Sequence, residues 1–274
     1  MMRLDCYAKV NIGLSVGEVR SDGYHGIRTN MALISLSDTI EVDFRESDRT
    51  SVAIEGNTGY LEAGRTDLME KVLIAYSERT GFCVDASIRI EKRIPAGSGL
   101  GGGSSDAAAV LKAVNGFFGN RLTPDELASL SASVGSDIPF FVYGYPLAFA
   151  SGRGEIIEPL DPMLSGRELV VICDSMKQDT GDAYACLDRI ARSSACNPMS
   201  GSVLTRRLYP NDFELVAESR ALGIAREACA DGKSYYSLSG SGSSAFIIAE
   251  EAEKTFDKIY QSNSNCDNFL VKFI

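Results

Sequence analysis

The chain carries 27 Lys and Arg against 37 Asp and Glu over 274 residues. The resulting net charge of −10 disfavours broad capture of nucleic acid or anionic membrane, both of which need clustered cations. Hydrophobic residues at 45% and charged residues at 23% supply a real core and exclude general disorder, and a single histidine, His25, excludes multi-histidine zinc sites.

Residues 3–10 and 12–19 read as strands by alternation, followed by a turn at Ser21-Asp22-Gly23. Residues 30–34, 39–44 and 51–55 continue the β pattern. A helix is predicted over 65–80, capped by Thr66 and stopped at Gly81, and a strand over 84–91. A glycine-rich stretch then opens a helix over 104–118. The next helix, 122–134, carries a capping box of Thr123 and Glu126 with Pro124 at its first helical position, and residues 138–143 form a buried apolar run. Turn residues across 152–162 mark a boundary between two domains, 1–157 and 158–274. Beyond it come a strand at 169–173 and helices at 180–191 and 213–229. Strands at 235–238 and 245–249 flank a glycine-serine turn, and a helix at 250–261 and a strand at 268–273 follow.

The class expected is α+β in two domains. The seven cysteines (Cys6, Cys83, Cys173, Cys186, Cys196, Cys229 and Cys266) never show CxxC spacing and read as reduced thiols of a cytoplasmic protein. No run is apolar and long enough for a membrane helix, and the N-terminus has neither a signal-peptide core nor a transit-peptide composition.

The strongest chemical signal is Pro95-Ala96-Gly97-Ser98-Gly99-Leu100-Gly101-Gly102-Gly103-Ser104-Ser105, with five glycines within the seven residues from Gly97 to Gly103. Without Cβ atoms, several backbone N–H groups can converge on one anion, and the helix that follows adds its positive end. A polyphosphate is the natural ligand. No lysine follows Gly103, so this is not a Walker A loop. Gly97, Gly99 and Gly102 satisfy G-x-G-x-x-G formally. The acidic residues about 20 positions on, Asp125 and Glu126, sit in a helix-start signature instead, which argues against a dinucleotide site. Asp137, after Gly135-Ser136, suits a helix N-cap as well as a proton acceptor. Lys9, between apolar neighbours on a strand, reads by itself as solvent-facing. Ser104 and Ser105 suit phosphate oxygens, an Mg²⁺ ion or helix capping.

Together these segments resemble a known family. The glycine-rich stretch resembles the second motif of the GHMP small-molecule kinases, Ala8-Lys9-Val10-Asn11-Ile12 their first, and Ser239-Gly240-Ser241-Gly242-Ser243 their third. The three stand in the family's order over nearly the whole chain. Asp22-Gly23-Tyr24-His25 and Gly135-Ser136-Asp137-Ile138-Pro139 are similar to the branch that phosphorylates the 2-hydroxyl of a cytidyl-linked methylerythritol. The resemblance implies an N-terminal domain similar to ribosomal protein S5 domain 2, a C-terminal ferredoxin-like domain, and an active site in the cleft between them. ATP would be the donor, with Mg²⁺, and the acceptor a small molecule.

The same resemblance implies Lys9 and Asp137 as catalytic residues. Lys92 and the loop from Pro95 to Ser105 would contact ATP. Asn11, Gly240 and Gly242 would meet the substrate, and Tyr24 and His25 would hold the cytosine. Tyr184 falls where the family tends to place a second aromatic on that base, though it suits the core of its helix nearly as well. Tyr7 stands where the family usually has proline, and Asp67 where it commonly has an asparagine contacting the nucleotide. The alternatives are a GHMP kinase acting on mevalonate, homoserine or a sugar, and a non-catalytic nucleotide-binding regulator on the same fold.

Overall fold

In a computed structural model, which describes residues 1–57, 67–174, 180–191, 210–262 and 265–274, β1 (Met2–Val19) and β2 (His25–Ser47) form one long antiparallel ribbon. The alternation predicts four shorter strands there. What looks like an interruption in the pattern is a shift of register rather than a turn, at Tyr7/Ala8, Ile12/Leu14 and Val16/Val19. Gly13 is the extra residue at the middle shift, and its φ of 72° suits glycine.

The first sheet runs in the order β3 (Ser51–Gly56), β4 (Cys83–Glu91), β2, β5 (Leu147–Ser151), β6 (Ile156–Pro159), with β1 also paired to β2. Helices α1 (Leu68–Thr80), α2 (Gly102–Phe117), α3 (Pro124–Ala132) and α4 (Ile138–Tyr143) bury their apolar residues against one face of it, around Met31, Ile40, Ile88, Val110 and Phe140. Asp67 caps α1 by accepting the Met69 N–H at 2.7 Å, while Arg65 and Thr66 lie outside the described residues. Gly81 closes α1 in the left-handed conformation, as predicted. The capping box on α3 is also as predicted, with Glu126 and Thr123 exchanging bonds with each other's backbone. Helix α2 starts at Gly102, earlier than predicted, on a left-handed Gly101, so neither Ser104 nor Ser105 caps it.

The chain leaves the first sheet after Pro159, with β6 straddling residue 157, and enters the second at β7 (Glu168–Asp174). That sheet is antiparallel throughout, ordered β10 (Cys266–Lys272), β7, β9 (Ala245–Ile248), β8 (Tyr235–Leu238). Its central strands β7 and β9 are apolar on both faces because both faces are covered. Leu169, Val171, Phe246 and Ile248 pack onto Ala8, Val10 and Ile12 of the first sheet. Val170, Ile172 and Ile247 pack under α5 (Thr180–Ala191), α6 (Arg220–Ala228) and α7 (Ala252–Ser262). The result is four layers, helix–sheet–sheet–helix.

The single helix predicted over 213–229 is broken. A 3₁₀ turn, Asp212–Leu215, comes first, and α6 begins afresh where Ser219 accepts the Leu222 N–H. No helix among the described residues is long and apolar enough to cross a membrane. The described cysteines are free thiols, as expected, and Cys196 lies outside the described residues.

Because Phe246 sits fully buried where the two sheets meet, its truncation to Ala is expected to cost about 3–5 kcal/mol. The urea midpoint checks this; a loss under about 1 kcal/mol would mean that the sheets do not share a core.

Candidate active site

The register shifts in β1 decide where Lys9 points. Cys6 faces the helix-side core, whereas Ala8, Val10 and Ile12 face the second sheet. That inversion turns Lys9 and Asn11 back toward the helices. Lys9 is only 3% exposed, so it is not the solvent-facing residue that its strand neighbours suggest. Its backbone N–H donates to the Leu100 carbonyl at 2.9 Å. Its Nζ donates to Asn11 Oδ1 at 2.5 Å and stands 3.2 Å from Asp137 Oδ2. Asn11 is oriented in turn by Nδ2 donating to Thr29 Oγ1 (3.1 Å), whose hydroxyl donates to the Gly13 carbonyl (2.6 Å) at the bulge. Asp137 occupies the N-cap position of α4 but accepts no capping bond there; its carboxylate turns to Lys9.

A cavity of about 970 Å³ opens from this pair. The loop from Pro95 to Ser104 lines it, apart from Leu100, which is buried in the core between the sheets. Ser105 does not line it either; it is buried and its N–H donates to the Gly101 carbonyl. Of the two third-motif glycines, Gly240 lines the cavity with Ser241, and Gly242 does not. The loops interlock: Ser239 Oγ donates to the Gly99 carbonyl at 3.0 Å and accepts the Asn11 N–H at 3.4 Å, while the Ser244 N–H donates to the Ser98 carbonyl at 3.1 Å. A Cβ on Gly99 (φ 79°) would lie 2.2 Å from the Ser239 carbonyl oxygen, so only glycine fits that approach.

Lys92 lines the cavity, yet its ammonium is held by two carboxylates, Asp38 and Asp106, the latter at 2.7 Å. Asp38 is fully buried and also accepts the Arg93 and Ile94 N–H groups at 2.6 and 2.8 Å. Asp106 Oδ1 is buried with no partner, and burial pushes the Asp106 carboxyl up to about 7. Burial, with the charges of Asp106 and Asp38 adding to it, pushes the Cys6 thiol up as well. Asp67 lines the cavity, where burial raises its carboxyl too.

At the far end, His25 stacks on Tyr184 with ring centroids 4.9 Å apart and planes 11° from parallel. A base lying between two rings needs about 7 Å, so the Tyr184 face that meets His25 is already covered. Tyr184 packs edge-on to Phe213 as well. His25 Nδ1 bonds the Gly17 carbonyl at 3.0 Å and Nε2 stands 3.5 Å from Asp188 Oδ1. Tyr24 is 55% exposed, with the Arg153 guanidinium 4.9 Å above its ring.

Sequence reasoning missed Thr29, Asp38, Asp106, Arg153 and Asp188. Asp188 was findable, since it lies one helical turn after Tyr184 and so shares its face. Asp38 and Asp106 carried no local signal. Among the described residues no cluster of three His, Cys, Asp or Glu suits a metal ion.

The layered fold, with a strand, a glycine-rich loop and a turn interlocked around a lysine–aspartate pair, defines a GHMP kinase. Consistent with this, residues 67–145 match the model of the GHMP kinases N terminal domain. The chain is 34% identical to the 4-diphosphocytidyl-2-C-methyl-D-erythritol kinase of Persephonella marina over 93% of each chain. It is 32% identical to the chloroplastic enzyme of that name from Arabidopsis thaliana, over 98% of this chain and 72% of that one. A crystal structure of 4-(cytidine 5′-diphospho)-2C-methyl-D-erythritol kinase superposes with a TM-score of 0.74 at 29% identity, over 99% of both chains. The mevalonate kinase of Methanococcus jannaschii shares the fold, with a TM-score of 0.70 at 17% identity. The chain belongs to the 4-diphosphocytidyl-2-C-methyl-D-erythritol kinase family.

The raised Asp106 carboxyl has a signed consequence for stability. Between pH 4 and 7 the folded chain keeps a proton that the unfolded chain has released, so stability is lost as pH rises through about 7. Asp106→Asn carries no such proton and is expected to gain stability relative to the wild type from pH 5 to pH 8. Urea midpoints of both proteins at the two pH values check this; a constant difference would show that Asp106 does not titrate there.

Proposed function

We propose that this chain transfers the γ-phosphoryl group of ATP to the 2-hydroxyl of 4-diphosphocytidyl-2-C-methyl-D-erythritol, a step toward isoprenoid precursors by the non-mevalonate route. The observation that carries the reading is the Lys9–Asp137 pair, a buried ammonium 3.2 Å from a partly open carboxylate at the foot of the glycine-rich loop. An acceptor hydroxyl lodged against Asp137 gives up its proton to that carboxylate while its oxygen meets the γ-phosphorus in line and ADP departs. Lys9, held by Asn11, offsets negative charge on the carboxylate and on the attacking oxygen. The backbone N–H groups of the loop and the start of α2 hold the phosphates. Both Lys9 and Asp137 are in position, which supports an enzyme over a nucleotide-binding regulator.

Mg²⁺ carried in with ATP would neutralise charge on the phosphates. The Ser104 side of the cavity offers one hydroxyl for it, and a cation that keeps phosphate and water ligands needs no dedicated protein cage. Tyr24 and His25 read the cytosine in this proposal. Tyr184 serves as a second face only if the His25 ring turns off it.

Replacing Asp137 with Asn is expected to lower turnover of the cytidyl acceptor by about 10²–10⁴-fold while ATP still binds. ATP consumption is measured with that acceptor beside mevalonate, homoserine and galactose. Near-wild-type turnover in Asp137→Asn would remove Asp137 as the proton acceptor, and wild-type turnover on another alcohol would replace the substrate.

A further inference from the structure

The cavity is lined by three cationic side chains, Lys9, Lys92 and Arg153. Lys9 is committed to Asp137 and Asn11, and Lys92 to Asp38 and Asp106. Arg153 is held differently. Its guanidinium lies on the Tyr24 ring, donates to the Ala132 carbonyl at 3.3 Å, and keeps its Nε 3.8 Å from Glu155 Oε1, beyond hydrogen-bond length. A guanidinium has five donors in a planar fork that matches two phosphate oxygens at once.

Its place along the cavity is specific. The next residue, Gly154 (φ 117°), runs past the proton acceptor, and a Cβ there would stand 3.7 Å from Asp137 Oδ1. The Arg153 side chain itself lies over Tyr24. One two-residue step therefore spans the interval from the reacting hydroxyl to the base-holding ring. In an acceptor built as base, diphosphate and polyol, that interval is the diphosphate. Such an acceptor is anionic and approaches a chain of net charge −10, with Asp22 and Glu155 also flanking the guanidinium. Without a local cation the field opposes it.

We infer that Arg153 binds the acceptor's diphosphate and so selects a nucleoside-diphosphate-linked alcohol over an uncharged one. The inference rests on the acceptor proposed above. When a base lies on Tyr24, it takes the ring face that the guanidinium now covers, and the fork turns to the phosphates. Arg153 is thus a specificity-determining residue for the acceptor and makes no contribution to holding ATP.

The test compares wild type, Arg153→Met and Arg153→Lys, with a non-hydrolysable ATP analogue filling the donor side and CDP and cytidine as calorimetric probes. The wild type is expected to bind CDP more tightly than cytidine. Arg153→Met, which keeps a chain on Tyr24 without the charge, is expected to reduce that preference by about tenfold or more, as loss of a charge-assisted bond does. Arg153→Lys is expected to fall between the two. In turnover, Arg153→Met should raise KM for the cytidyl acceptor with KM for ATP and kcat little changed; the unchanged ATP value also reports intact folding. An unaltered CDP-to-cytidine preference in Arg153→Met would overturn the inference. A wild type that fails to phosphorylate the cytidyl acceptor, yet loses CDP preference in Arg153→Met, would overturn the proposed function and leave the Arg153 assignment standing.

Discussion

The site depends on one close approach of backbone to backbone, between Gly99 and the Ser239 turn. No side chain fits there. The Ser239 hydroxyl uses the closeness twice, donating to Gly99 and accepting from Asn11, so a loop of the first sheet, a strand of the first sheet and a turn of the second become one unit. Position along that unit passes from Asn11 to Lys9 and from Lys9 to Asp137. The shared core behind it, where Phe246 and Val171 meet Val10 and Ile12, keeps the two sheets from sliding and so holds the turn against the loop. The geometry of the Lys9–Asp137 pair is a consequence of sheet-on-sheet packing.

Electrostatically the arrangement answers a problem set by composition. A chain of net charge −10 binding two anionic ligands cannot rely on its overall field. It neutralises its buried lysines with its own carboxylates, which leaves the oriented backbone dipoles of the glycine-rich loop and the Arg153 guanidinium as the groups to which the proposed reading gives the phosphates. Lys92 with Asp38 and Asp106 illustrates the cost: two carboxylates and one ammonium are out of water, and Asp106 Oδ1 finds no partner. Breaking up such a set leaves an uncompensated buried charge. The Asp38 bonds to the Arg93 and Ile94 N–H groups show what the set does, which is to fix the end of β4 where the glycine-rich loop begins.

Features with local causes were legible in the sequence. The capping box of Thr123 and Glu126, the stop at Gly81 and the glycine-rich loop each need only neighbours a few residues away. The length of β1 was not legible, because a one-residue bulge and a turn look alike in an alternation pattern. Nor was the break before α6, since residues 213–229 are all compatible with a helix; the break is made by Asn211 and Ser219 accepting nearby N–H groups. In the site, motif residues were readable as a set, but their geometry was not. Lys92 meets Asp38 across 54 residues and Asp106 across 14, with no spacing rule to connect them. The two sequence readings of Lys9 differ only by which face of β1 it occupies, and the register shift at Tyr7/Ala8 decides that.

Asp137 shows how the local sequence releases a carboxylate from capping. An N-cap side chain ordinarily bonds the N–H of the second or third helical residue. In α4 the second residue is Pro139, which has no N–H, and the first, Ile138, donates to the Gly135 carbonyl at 3.2 Å. The backbone and the proline thus relieve the start of the helix of most of what an N-cap carboxylate would supply. Asp137 keeps the cap position, where the helix geometry fixes its Cα, while its carboxylate is left to Lys9 and the cavity. A proline two residues on is therefore part of the reason that an aspartate placed as a cap can turn its carboxylate to Lys9 and the cavity.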